Sequence, residues 1–333
     1  MPFDNASATR WGVTLSEKGT FKMRLIFCGA ALLAAACSST PTPAGDASPG
    51  ISDASASDSA LADASVNDLT FYADPSVRVD NASNAKAGVA ADGSVYLYYQ
   101  ERNTGKQVRS VSTDGLTFAA GAAYTTYENH PSRIQLASGK WLRYILDPKT
   151  GIMTSASSTD GITFTAESGI RYQPATEDKG STGIYDHFVS GTSVVMLYLG
   201  DLMGKNNTRM ALSTDNGASF TFQGTNVLGD DNAGGGANAF VDISSIALPS
   251  GGRRLFAMRG GQGVYSFANP DPSNRLGWVQ DPGARVERTS WGDATITGVF
   301  DPTVVRLKDG RYRMYVTVGY GTSHEALVSA TTK

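Results

Sequence analysis

One pattern recurs five times along the chain and limits the folds that it can adopt. Each copy is a short apolar run, a turn that contains glycine, and a second run rich in aromatic and β-branched residues. The clearest copy is FDPTVVRLKDGRYRMYVTV at residues 300–318, in which Asp309-Gly310 is a favoured two-residue hairpin turn. The five turn glycines, at positions 93, 139, 191, 251 and 310, are 46 to 60 residues apart. A period of this size is typical of a propeller or another repeat array.

A second marker follows each of the first three turns. It reads STDGLTF at 112–118, STDGITF at 158–164 and STDNGASF at 213–220. These segments resemble the Asp-box of sialidases and related propellers. An aspartate can cap the backbone of its own turn while the glycine adopts a positive φ. We therefore expect these turns to have a structural role.

The N-terminal segment predicts a leader with a lipoprotein signal peptide over residues 1–37. Met23 reads as the true start, because Arg24 and a twelve-residue apolar run follow it, and this run is too short to span a bilayer. The run ends in AAAC at Cys37, which resembles a bacterial lipobox and predicts Cys37 as the lipidation site. Cleavage there would remove Cys28, so no cysteine pair would remain for a disulfide.

Lipidation would place the protein in the bacterial cell envelope, with the lipid as its only contact with the membrane. Ser38 follows the cysteine in place of the aspartate that signals retention in the inner membrane. The sequence therefore favours the outer membrane or a periplasm-facing position. Residues 38–68 consist mainly of Ser, Ala, Asp, Pro and Gly and predict a disordered tether.

Residues 69–333 carry 24 acidic and 24 basic residues. A neutral domain without a basic stripe has no electrostatic footprint for nucleic acid, so nucleic-acid partners are excluded. We expect this region to be a monomeric, all-β, five-bladed β-propeller with four-stranded antiparallel blades. The last blade supplies only three strands of its own. A strand near Phe71 is predicted to complete it and to close the ring.

The inner strand of each blade would line the central channel, and the residue nine positions before each turn glycine would lie at one mouth. This register selects Asn84, His130, Asp242 and Asp301, and Asp186 fits with a contraction of four residues. Three consecutive blades would thus direct a carboxylate at one small volume. The Asp-box turns would lie at the opposite end.

Long loops at 165–185, 221–241 and 279–300 lead into the blades that carry these carboxylates. Loops of this length around one sector of the mouth would build a groove. Tyr185 and Trp291 are predicted to stack on a sugar face there. His130, His187 and Asn84 complete the predicted substrate-binding set.

The segment DPTVVRLKDGRYRMYVT resembles a blade of the five-bladed propeller glycosidases, the group of arabinanases, xylosidases and fructan hydrolases. The resemblance implies that an aspartate of the DP motif is the general base, a second aspartate orients the site, and a glutamate donates the proton. Asp301 matches the first role, and Asp242 and Asp186 are the candidates for the others. No glutamate occupies a predicted mouth position, and Glu128 is the nearest substitute for the acid.

Two functional classes remain open at this point. The first is a surface-tethered glycoside hydrolase-like protein that acts on a poly- or oligosaccharide without a cofactor. The second is a non-catalytic propeller that binds a glycan or another envelope protein. An aspartate at the head of an inner strand can also cap backbone amides or ligate a structural calcium ion in the channel. A zinc site on the histidines is disfavoured.

Overall fold

A computed structural model of the chain describes residues 69–333 except 124–132, 148, 162, 203, 205–206, 225–226, 229–238, 250 and 322–323. The predicted leader, the tether and Cys37 therefore lie outside the described residues, and so do Glu128 and His130. No helix in the described part is long and apolar enough to cross a membrane.

The described residues form five antiparallel sheets arranged as the blades of a propeller. Blades 1 and 2 contain β3 (Ala82–Val89), β4 (Val95–Glu101), β5 (Gln107–Ser112) and β6 (Ala122–Ala123), then β7 (Arg133–Gln135), β8 (Trp141–Leu146), β9 (Met153–Ser158) and β10 (Thr165–Ala166). Blade 3 contains β11 (Thr182–Ser190), β12 (Ser193–Gly200), β13 (Asn207–Ser213) and β14 (Thr221–Phe222). Blade 4 contains β15 (Phe240–Ala247), β16 (Arg253–Arg259), β17 (Gly263–Asn269), β18 (Val279–Gln280) and β19 (Val286–Glu287). Blade 5 contains β20 (Gly298–Arg306), β21 (Tyr312–Tyr320) and β22 (His324–Thr331), joined by β1 (Tyr72–Ala73) and β2 (Val79–Asp80).

The N-terminal strands close the ring as predicted. Tyr72 in β1 pairs with Thr331 in β22, and Val79 in β2 pairs with Leu327 of the same strand. The fourth strand of the last blade therefore comes from the start of the domain. This arrangement covers the edge of β22, which would otherwise present unpaired backbone groups.

Four apolar clusters fill the seams between neighbouring blades, and they join blades 2 and 3, 3 and 4, 4 and 5, and 5 and 1. The seam between blades 1 and 2 differs within the described residues. There the Arg133 guanidinium of blade 2 lies 5.8 Å from the ring centre of Tyr98 in blade 1. A cation–π contact therefore contributes at this seam, for which no apolar cluster is described.

A carboxylate directly after the fourth strand is tied to a serine of the third strand in three blades. The serine hydroxyl donates over 2.5 to 2.8 Å in the pairs Ser155–Glu167, Ser266–Asp281 and Ser329–Asp74. Each of these outer strands is only two residues long. The charge-assisted hydrogen bond therefore holds a strand that has few ladder bonds of its own.

The three marker turns after the third strands use their aspartates locally. Asp114 Oδ1 accepts hydrogen bonds from the Ser112 hydroxyl over 2.7 Å and from the backbone of Leu116 over 2.7 Å and Thr117 over 2.8 Å. These bonds lower the pKa of Asp114, because they stabilise its charged form. Ser112 pairs with Val95, which pairs with Val89, so the turn lies at the turn-glycine end of the blade.

Candidate active site

Three inner strands begin with the same backbone irregularity. Asn84, Asp242 and Asp301 have φ values of 55°, 54° and 47°, in the left-handed region. Each lies in a β-bulge, at which the register with the second strand shifts by one residue. Asn and Asp tolerate this conformation better than most residues, but it still costs energy. A strained conformation at the same point of three blades indicates a functional site, and a bulge re-aims the side chain that it carries.

Asp301 is held from two directions. Its Oδ2 accepts hydrogen bonds from the Thr317 hydroxyl over 2.9 Å, in the neighbouring strand, and from the Asn84 backbone nitrogen over 3.2 Å, in blade 1. With its side-chain nitrogen toward blade 5, Asn84 also lies 3.2 Å from Oδ1 and 3.1 Å from Oδ2 of Asp301. Hydrogen-bond donors around a carboxyl group favour its ionised form. Asp301 nevertheless keeps part of its surface exposed.

Asp186 lies farther along its inner strand than its counterparts. The bulge of β11 falls between Gly183 and Tyr185, so Asp186 follows it and pairs with Leu197. Its Oδ2 is buried and has no hydrogen-bond partner among the described residues. Asp242 in the next blade is 6% exposed. Blade 3 therefore contributes one buried carboxylate oxygen, and blade 4 contributes a buried aspartate.

Lys86 is a charged channel residue that the sequence reasoning missed. It lies on β3, two residues after Asn84, and its Nζ donates to the Ile243 carbonyl oxygen of blade 4 over 3.1 Å. Burial lowers the pKa of Lys86, while attraction to Asp186 and Asp242 opposes this shift. The same ammonium thus faces both carboxylates. Its sequence neighbours gave no signal, because a lone lysine in a strand reads as solvated.

Tyr185 and His187 do not line the mouth, contrary to the expectation that they bind substrate there. Tyr185 is 2% exposed, and its hydroxyl donates to the Tyr144 carbonyl oxygen over 3.0 Å. The His187 ring stacks on the Tyr144 ring with a centroid distance of 4.1 Å. Both side chains point into the seam with blade 2, because β11 already begins at Thr182 and alternate residues of a strand share one face.

Trp291 also lies elsewhere than predicted. Its Nε1 donates to the Ser329 carbonyl oxygen over 3.0 Å, and Ser329 is in β22, the third strand of blade 5. The loop expected to border the mouth instead contains β18 and β19, which pair with β17. This pairing carries the loop along the outside of blades 4 and 5. Trp291 therefore packs there rather than beside Asp301.

Phe300 is an aromatic residue at the mouth that the sequence reasoning did not select. It directly precedes Asp301, and its ring is partly exposed. A Cβ at Gly298 would overlap this ring, and a Cβ at Gly261 or Gly319 would lie 3.2 or 3.4 Å from it. Three glycines thus leave room for the Phe300 ring, which packs against the apolar cluster between blades 3 and 4.

The long loop into blade 3 is fixed by a buried ion pair. Asp178, which is fully buried, accepts a hydrogen bond from Arg209 over 2.7 Å. Its other oxygen accepts from the Tyr172 hydroxyl over 2.8 Å and the Ala175 backbone over 2.9 Å. Breaking one partner of such a pair would leave an uncompensated buried charge. The buried ion pair therefore holds this loop against blade 3.

Within the described residues, no group of three or more His, Cys, Asp or Glu side chains is arranged to hold a metal ion. No family model matches the chain, and no curated protein matches it. Solved structures do match. A thermostable family-43 glycoside hydrolase superposes with a TM-score of 0.55 at 12% identity, covering 78% of this chain and 91% of that one. This protein shares its fold with family-43 glycoside hydrolases.

Two further structures show the same likeness. A protein described as a glycoside hydrolase gives a TM-score of 0.59 at 12% identity and covers 79% of this chain and 91% of its own. An alpha-L-arabinofuranosidase from Lactobacillus brevis gives 0.52 at 11% identity and covers 78% and 92%. At this level of identity the likeness concerns the five-bladed architecture, and any activity has to be argued from the residues at the mouth.

Proposed function

We propose that this protein is a glycoside hydrolase-like propeller that acts on a poly- or oligosaccharide at the mouth of its channel. The observation that carries the proposal is Asp301. Its carboxylate is held by donors from two blades on a strained bulge, and the partly exposed Phe300 directly precedes it in the chain. An acidic group next to an aromatic platform suits a sugar, whose apolar face stacks on a ring while its hydroxyls bond to carboxylates.

Asp301 is assigned the role of general base. It would take a proton from water as the water oxygen attacks the anomeric carbon. The bond from that carbon to the leaving oxygen breaks, and an acid delivers a proton to the leaving oxygen. Glu128 is the proposed acid, and Asp186 and Asp242 would orient the site. A carboxyl separation of about 6.5 to 9.5 Å would give inversion, and about 5 Å would give retention with Asp301 as nucleophile.

The test is release of reducing ends from arabinan, xylan, levan, mannan and aryl glycosides. We expect the parent to release sugar from at least one substrate and Asp301→Asn to lose roughly 10²- to 10⁴-fold of the rate. Asp309→Asn is the matched control, because it makes the same change at the opposite end of the same strand pair. It should act like the parent. Equal rates for Asp301→Asn and the parent would refute the assignment.

One observation favours the second class, a non-catalytic binding module. The Asp301 carboxylate accepts a hydrogen bond from the backbone of Asn84. This bond joins blades 5 and 1, and such a structural role does not require catalysis. A binding module would retard the parent in gels that contain one of the same polysaccharides, without release of reducing ends. Asp301→Asn would then weaken retardation, and Asp309→Asn would leave it unchanged.

We also propose that Cys37 carries a lipid that anchors the protein in the envelope, which rests on the lipobox-like segment that ends there. Expression in a bacterial host with an alkyne-labelled fatty acid tests this assignment. The parent should be labelled and sediment with membranes, and Cys37→Ser should be unlabelled and soluble. A Cys37→Ser variant that is still labelled would refute it.

A further inference from the structure

Lys86 crosses the central channel. Its backbone belongs to β3 in blade 1, and its ammonium donates to the Ile243 carbonyl oxygen in blade 4 over 3.1 Å. Blade 5 separates these two blades in the ring, because β20 contacts both β3 and β15. The hydrogen bond therefore joins opposite walls of the channel.

Attraction to two carboxylates, Asp186 of blade 3 and Asp242 of blade 4, acts on this ammonium. Asp186 Oδ2 is buried without a described hydrogen-bond partner. This oxygen therefore depends on a nearby positive charge for its stabilisation.

Two carboxylates that share a channel repel each other. At 4 Å, two unit charges interact by about 1 kcal/mol in water and about 4 kcal/mol near a protein surface. Oxygen donors from two carboxylates and a carbonyl are also the ligands that hard cations prefer. A channel of this composition thus needs a cation between its walls, and the ammonium of Lys86 supplies one.

We propose that Lys86 is the built-in cation of this channel, which balances Asp186 and Asp242 and fixes both carboxylates in place of a bound metal ion. Unlike a metal ion, it cannot dissociate.

The experiment measures thermal unfolding of the full-length chain and needs no substrate, so its failure is distinguishable from the absence of hydrolysis. Lys86→Met keeps the length of the side chain and removes the charge. Asp186→Asn removes one carboxylate with little change of shape. We expect each single variant to lower Tm, and the double variant to lower it by clearly less than the sum, because neither charge is then left alone.

Lys86→Arg should keep most of the parent Tm, since it retains the cation, and it serves as the folded reference if Lys86→Met does not fold. Lys308→Met, an exposed lysine at the turn-glycine end, should leave Tm unchanged. The parent Tm should be the same in excess EDTA and in millimolar calcium chloride. Additive effects of the two single variants would overturn the proposal. The proposal would also be overturned if EDTA lowered the Tm of the parent but not that of Asp186→Asn.

Discussion

The backbone nitrogen of Asn84 donates to Asp301 Oδ2 over 3.2 Å, although 217 residues separate the two in the chain. Asn84 lies in β3, the inner strand of the first blade, and Asp301 lies in β20, the inner strand of the last. The proposed catalytic base therefore also joins the two ends of the ring. The same carboxylate oxygen, Oδ2 of Asp301, thus belongs to the candidate site and to the contact that closes the ring.

Asn84→Asp should destabilise the protein in a pH-dependent way. It would place a second carboxylate beside Asp301, and two carboxylates this close cannot both be ionised without cost. We expect Tm to fall well below that of the parent at neutral pH and the gap to narrow as pH drops toward about 4, where one of the pair takes up a proton. Differential scanning calorimetry across this range measures the gap. A gap that is the same at every pH would show that the new carboxylate avoids Asp301.

Phe300→Ala should weaken substrate binding more than it slows the chemical step. Loss of a stacking ring costs on the order of 1 kcal/mol, which corresponds to roughly a fivefold rise in KM, or in Kd if the protein only binds. Tyr72→Ala is the control, because this ring is 45% exposed on the outer strand of blade 5. An unchanged KM in Phe300→Ala, with a folded protein, would remove Phe300 from the site.

Gly217→Ala should cost more stability than Gly191→Ala. Both glycines have positive φ, at 80° and 59°, so either alanine pays roughly 1 to 2 kcal/mol of backbone strain. A Cβ at Gly217 would also overlap the Tyr144 hydroxyl, which donates to the Gly217 carbonyl oxygen, whereas nothing lies within 4 Å of a Cβ at Gly191. Urea denaturation of the two variants isolates the overlap. Equal losses would mean that Tyr144 moves aside freely.

His187→Phe should make the protein less sensitive to acid. Burial lowers the pKa of His187 from 6.5 to about 3, so the folded state keeps this ring neutral. Between these two pH values the unfolded chain binds a proton that the folded chain does not. The resulting stability is fully present above pH 6.5 and is lost as pH falls toward 3, by up to about 1.4 kcal/mol per pH unit.

The phenylalanine variant lacks this contribution and keeps a ring against Tyr144. Its free energy of unfolding should therefore fall less steeply than that of the parent between pH 6.5 and 3. Chemical denaturation at several pH values gives both slopes. Identical slopes would mean that the folded protein accommodates a protonated His187 ring without loss of stability.

The sequence predicted the architecture because the repeats carry local signals. The turn glycines located the blades, and the Phe71 region was correctly predicted to complete the last one. The nine-residue register also placed Asn84, Asp242 and Asp301 at equivalent points. A period-based argument succeeds where each blade repeats the same local geometry.

The positions of Tyr185, Trp291 and Lys86 depend on non-local geometry. For that reason the two aromatic residues were wrongly assigned to the mouth, and the lysine was overlooked. Tyr185 was taken for a loop residue because the start of β11 at Thr182 has no marker in the sequence. Trp291 was displaced by the pairing of β18 and β19 with β17. The contact of Lys86 with blade 4 forms only because blades 1 and 4 face each other across the channel.

Both ends of the folded chain lie away from the mouth. Tyr72 pairs with Thr331 at the turn-glycine end, and the Lys333 ammonium lies 4.2 Å from the centre of the Tyr72 ring. Attachment through either terminus, to a resin, a sensor surface or a fusion partner, therefore leaves Asn84 and Asp301 facing the solution. Polymers too large to diffuse around an immobilised protein would then still reach these two residues.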